Sequence, residues 1–191
     1  MIVILGLTLG KEYVGKQTTL SKDNLINSPI TSNVTSKEVE ENFSIPQTLI
    51  IKSLSVNAVV EQVGMDSEGK MDIPSQVQNV AWYNLGYKPG AKGPAVFAGH
   101  LDTKTGDPAV FYNIANLNSG DTISVIDENG KKLTFEVERV ASYEYNKFPL
   151  QEVFADASAK RLNLITCGGD WDKLSKNYSN RTVVYSVLKE Q

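Results

Sequence analysis

From Ile45 onward the chain is written in short apolar runs, each cut after a few residues by Gly, Pro, Asn or Asp. Such runs are too short for long amphipathic helices, and their spacing predicts an all-β body, a barrel or a sandwich. Strands are expected at 48–51, 56–63, 81–83, 95–101, 122–127, 132–145, 161–166 and 182–188, eight in all. The clearest turn is Glu128-Asn129-Gly130, where the Asn-Gly pair is expected to supply the positive φ angles of a tight hairpin. Residues 109–117 and 150–155 carry their apolar side chains at three-and-four spacing, so one or two short helices are expected there.

The residues ahead of this body have a different character. Met1 to Leu9 are apolar, but a bilayer-spanning helix needs about 20 such residues. The start also lacks the basic n-region and small-residue cleavage site of a signal peptide. It reads as the end of a longer membrane anchor or as a first strand. Residues 10–41 are rich in Ser, Thr, Asn and Lys without an apolar period, as in a solvated stalk. The chain therefore divides into residues 1–42, an anchor remnant with a polar linker, and residues 43–191, a single folded domain.

A net charge of −3 and three scattered arginines, Arg139, Arg161 and Arg181, give no basic face for nucleic acid. One histidine, one cysteine and no tight carboxylate cluster fall short of a zinc set, so no metal site and no cofactor is expected. Glu144, Glu152 and Asp156 show no calcium-loop spacing, which predicts calcium-independent behaviour.

The single cysteine, Cys167, cannot form an intramolecular disulfide and is either a buried inert thiol or a functional one. Strand alternation puts Leu162, Leu164 and Thr166 on one face, and Arg161, Asn163, Ile165 and Cys167 on the other, more polar one. That placement favours a functional thiol. Gly168-Gly169 either ends the strand or lets backbone amides approach a developing oxyanion. The single histidine, His100, closes the run Ala-Val-Phe-Ala-Gly-His; a solvated turn residue and a proton carrier are both compatible with that position. Arg181 opens the last predicted strand behind a polar stretch, and is either an exposed edge charge or a fixed fork of donors for an oxyanion. Asp102 either orients His100 or begins the turn at 102–108, with the turn preferred.

Together, Ala-Gly-His-Leu-Asp at 98–102, Leu-Ile-Thr-Cys at 164–167 and an arginine before a final Val-Val strand resemble the sortases, the cysteine transpeptidases of Gram-positive bacterial surfaces. Val-Gly-Met-Asp at 63–66, Asp-Ile-Pro at 72–74, Gly-Pro-Ala-Val at 93–96, Ala-Val-Phe-Tyr at 109–112 and Cys-Gly-Gly-Asp at 167–170 are most similar to class F, with class D or E next. The resemblance implies an eight-stranded sortase-like β-barrel over 43–191. It implies His100, Cys167 and Arg181 as catalytic residues and Thr166 as a contributor to the substrate groove.

The implied reaction is cleavage of a sorting motif of the Leu-Pro-x-Thr-Gly type in a secreted protein. Cys167 holds the product as a thioacyl enzyme, which passes to an amine such as a cell-wall peptide or a pilin lysine. The implied location is the outer face of the cell membrane, with an N-terminal anchor. A thiol peptidase that only hydrolyses and a non-catalytic peptide-binding barrel are the competing readings.

Overall fold

The computed structural model describes residues 43–190, and the anchor and linker expectations for residues 1–42 lie outside the described residues. The strands are β1 (Pro46–Ile51), β2 (Val56–Val63), β3 (Val80–Tyr83), β4 (Gly93–Gly99), β5 (Thr122–Asp127), β6 (Lys132–Glu144), β7 (Lys160–Asp172) and β8 (Asn177–Leu188). They close into a barrel in the order β1-β2-β3-β4-β7-β8-β6-β5. Two neighbouring pairs, β2–β3 and β4–β7, run parallel, and the remaining pairs are antiparallel. Closure leaves the barrel with no unpaired edge among its strands.

Alternation along the strands sorts the apolar side chains into two clusters. Leu49, Phe97, Ile123, Phe135, Leu162 and Leu164, all fully buried, fill the barrel together with Phe111 and Ile114 from the β4–β5 connection. The opposite face of β4, β7 and β8 presents Val96, Ala98, Ile165, Cys167, Val183 and Tyr185. This second face is covered by Val153 of the short helix α1 (Leu150–Phe154) and by Met71, Ile73 and Phe148 from the connections. Cys167 thus belongs to a sheet face roofed by loops, where a cleft can form beside it.

Three local expectations need correction. The 109–117 segment shrinks to turns and a 3-10 helix at Ile114–Asn116, because Ile114 and Phe111 are drawn into the barrel mouth rather than stacked on a helix face. In the β5–β6 hairpin only Gly130 has a positive φ, 79°. There the Asp127 carboxylate accepts from the backbone N–H groups of Asn129 and Lys131 at 2.9 and 2.8 Å, and so closes a wider loop.

The third correction concerns the site itself. Cys167 and Arg181 do not sit at strand ends flanking a long loop: β7 continues to Asp172 and β8 begins at Asn177. A bulge between Gly168 and Trp171 lets the hairpin continue, with Gly169 at φ 73°. The tip closes over residues 173–176, where Lys176 has φ 51°. The projecting part of this hairpin is solvated, so it carries no apolar alternation for a sequence reading to find.

Candidate active site

Strand register pairs Cys167 with Arg181 and brings the end of β4, just before His100, alongside β7. On the parallel β4–β7 pair the register ends with Ala98 opposite Ile165, and His100 and Cys167 each follow two positions later, His100 just past the end of β4. On the antiparallel β7–β8 pair Cys167 lies directly opposite Arg181. Residues opposite one another in neighbouring strands project from the same face with Cβ atoms about 4.5–5.5 Å apart. The guanidinium is thereby set beside the thiol, and the imidazole shares a cleft with that thiol.

Thr166 lies on the other face, within the barrel, 1% exposed. Its hydroxyl donates to the carbonyl of Gly99 at 2.8 Å. The expected groove contributor therefore points away from the groove, because strand alternation turns it opposite to Cys167. It pins the backbone just before His100 to the backbone just before Cys167, past the point where regular β4 pairing ends.

His100 and Cys167 share the wall of a cleft of about 880 Å³, with Ile73, Val77, Leu101 and Trp171 among its apolar lining. Cys167 is 7% exposed, so its sulfur reaches the cleft only at its tip. Burial pushes the thiol pKa above its ordinary value; the Arg181 charge pulls it down, and the Asp102 charge pushes it further up. His100 is half-buried, with Nε2 3.3 Å from the carbonyl oxygen of Pro74 in the β2–β3 connection.

Arg181 is 1% exposed and is not part of the cleft lining. Its Nη1 donates to the carbonyls of Asn180 at 2.7 Å and Tyr178 at 3.1 Å, and its Nη2 donates to Oδ1 of Asn177 at 2.7 Å. The guanidinium also lies over the Tyr145 ring, 4.7 Å from its centroid. An exposed edge charge is thus excluded. The rigid fork braces the base of the β7–β8 hairpin while its charge acts on the neighbouring sulfur.

Asp102 begins the turn, as preferred from the sequence: it bridges to Pro108, and Thr103 N donates to Asp107 O at 2.8 Å. Its carboxylate does not hold the His100 ring; Oδ2 instead accepts the Tyr178 hydroxyl. Burial and this hydrogen bond push the Tyr178 pKa up to about 12. Tyr178 packs edge-on against Trp171, 5.1 Å between centroids. Both rings line the cleft.

Sequence reading passed over Trp171 and Tyr178 as members of a polar loop. Their signal was positional: two aromatics in a polar stretch, nearly equidistant from Cys167 and Arg181, face each other across a hairpin.

The two glycines after the sulfur accommodate β8 rather than an incoming ligand. A Cβ on Gly168 would come 2.8 Å from Oγ1 of Thr182, and one on Gly169 would overlap Ser179 and sit 2.8 Å from Oδ1 of Asn180. The carboxylates considered for calcium are matched to bases: Glu144 to Lys147 at 2.9 Å, Glu152 to Arg139, and Asp156 to Arg161 at 3.7 Å. Among the described residues no three metal-ligating side chains form a cluster, and no helix is long and apolar enough to cross a membrane.

A closed eight-stranded barrel that sets a thiol and an imidazole in one cleft is an arrangement suited to cysteine-dependent acyl transfer. The sortase-domain profile matches residues 49–189, and the chain belongs to the sortase family of cysteine transpeptidases.

Solved structures share the fold at low identity. Sortase C-1 from Actinomyces oris is 18% identical, with TM-score 0.59 over 75% of this chain and 73% of that one. Sortase A from Corynebacterium diphtheriae is 14% identical, with TM-score 0.58 over 84% and 72%. A sortase D5 transpeptidase from Clostridium perfringens is 18% identical, with TM-score 0.56 over 82% and 91%. No protein of curated function matches the sequence.

Proposed function

We propose that this sortase cleaves a sorting motif of the Leu-Pro-x-Thr-Gly type, with Cys167 as nucleophile, His100 as proton carrier and Arg181 as electrostatic partner. The carrying observation is that His100 and Cys167, which follow the paired ends of β4 and β7, line one cleft. The apolar side chains of that cleft suit the Leu and Pro of such a motif.

In the first half-reaction the sulfur attacks the carbonyl carbon of the motif's threonine. The C–N bond to the next residue breaks, and His100 as imidazolium donates the proton that the departing amine needs. In the second half, an amine attacks the thioester, its one surplus proton passes to His100, and the C–S bond breaks with its electron pair left on sulfur. Throughout, the Arg181 charge offsets negative charge that develops at the sulfur.

The pair must hold a thiolate and an imidazolium together. At ordinary pKa values of about 8.5 and 6.5, only about 1 per cent of uncoupled sites do so at pH 7. Burial of Cys167 lowers that fraction further in the resting protein. Catalysis on a minority form gives a bell-shaped pH profile for kcat/KM.

Thr166 belongs to this machinery as a positioning residue through its bond to Gly99. The motif stretches that resemble class F favour that class over D or E. Residues 1–42 fit an anchor and stalk that hold the barrel at the outer face of a membrane.

The deciding experiment incubates the protein with a Leu-Pro-x-Thr-Gly peptide, with and without an oligoglycine amine, and weighs the products. A joined peptide identifies a transpeptidase; a free carboxylate alone in both arms identifies the hydrolytic alternative.

A further inference from the structure

The second half-reaction needs a place for an amine that arrives as a cation, and the cleft contains one group suited to receive it. Asp102 lies two residues past His100 and lines the same cleft as His100 and Cys167. Its charge is felt at the sulfur, where it raises the thiol pKa. A carboxylate that disfavours the thiolate is a cost to the first half-reaction. It does not serve by orienting His100, since its hydrogen bond goes to Tyr178 instead.

That hydrogen bond ties the loop after β4 to β8 and fixes one carboxylate oxygen, Oδ2, in place. Lys104 lines the same cleft, yet among the described residues no lysine or arginine pairs with Asp102. The second oxygen, Oδ1, is left for a ligand.

We infer that Asp102, held by Tyr178, receives the ammonium group of the acceptor amine and presents its nitrogen to the Cys167 thioester beside His100. This rests on the transpeptidase reading and names its acceptor as a primary alkylammonium.

The step balances as follows. The ammonium bound at Asp102 gives one proton to neutral His100 and becomes the free amine. Its nitrogen lone pair forms the C–N bond, the C–S bond breaks with its electron pair leaving on sulfur, and the nitrogen's second proton goes to that sulfur. The products are an amide, the Cys167 thiol and a His100 imidazolium, which releases its proton to water. The positive charge that the ammonium brought then sits on His100, beside the negative charge of the departing sulfur.

The test uses the folded protein acylated by a sorting peptide. Two acceptors are compared near neutral pH: a glycine peptide, whose amine is protonated, and hydroxylamine, which is neutral. Asp102→Asn is expected to raise the half-saturating concentration of the glycine peptide at least about tenfold, the loss of a charged hydrogen bond, while the response to hydroxylamine changes far less. Tyr178→Phe, which only loosens the carboxylate, is expected to raise it about threefold. Asp102→Glu restores most of the loss.

Equal effects on both acceptors, or an unmoved glycine-peptide saturation in Asp102→Asn, overturn the inference alone. Failure of the unaltered protein to form any acyl adduct at Cys167 overturns the transpeptidase reading and this inference with it.

Discussion

Replacing Thr166 by valine isolates the link that aligns the two reacting groups. The two side chains have the same shape and the same β-branch, so the strand and the packing at this fully enclosed position are kept. What is lost is one hydroxyl donor, and the Gly99 carbonyl that accepted it at 2.8 Å stays buried. Stranding a buried acceptor costs about 1–3 kcal/mol.

Against a typical domain stability of about 5–15 kcal/mol, such a loss leaves well over nine-tenths of molecules folded. The activity change is therefore geometric. If the Gly99–His100 backbone drifts by about 1 Å from β7, a fall of about 100-fold in kcat/KM follows. Urea unfolding and peptide-cleavage kinetics on the same preparations read the two effects separately. A variant that loses stability in this range but keeps full kcat/KM would refute the view that this bond sets the His100–Cys167 alignment.

Gly99→Ala tests the same junction by overpacking: the added Cβ meets Phe111 Cδ2 at 2.5 Å and Val110 Cγ1 at 2.8 Å. A loss of about 1–3 kcal/mol in denaturant unfolding is expected, with kcat/KM reduced beyond what unfolding explains. Arg181→Met removes the charge that lowers the Cys167 pKa, so the inflection in iodoacetamide alkylation against pH moves upward and alkylation near neutrality slows.

The raised folded-state pKa of Cys167 also has a stability signature. Its contribution is complete below the unfolded thiol value of about 8.5 and is lost as pH rises through the folded value. Denaturant titrations should therefore show a steeper alkaline loss of stability in the unaltered protein than in Cys167→Ala. Because Glu144, Glu152 and Asp156 are already paired with bases, millimolar calcium is expected to leave the cleavage rate unchanged.

The barrel was legible wherever a strand buries a face. The runs through Leu49, Phe97, Ile123, Phe135 and Leu164 alternate or stay apolar because one side fills the barrel and the other is roofed or solvated. The thiol could be set apart from Leu162 and Leu164 by counting in twos, and the structure puts it on the opposite face from them.

Legibility ended where burial ended. The tip of the β7–β8 hairpin is solvent-exposed, so the stretch between Cys167 and Arg181 read as a loop, and Trp171 and Tyr178 were hidden in it. The same blindness affected Arg181, whose partners Asn177, Tyr178 and Asn180 come together only through the bulge at Gly168–Trp171. Thr166 came as a groove contributor from the family resemblance, while a period of two places it inside.

Trapping the acyl intermediate tests the central claim most directly. The protein is mixed with a Leu-Pro-x-Thr-Gly peptide without added amine, quenched in acid, and its intact mass and peptide map recorded. The account predicts a mass gain equal to the peptide up to its threonine, mapped to Cys167 and absent from both Cys167→Ala and His100→Ala. Cleavage that persists in Cys167→Ala, or an adduct on any other residue, would contradict it.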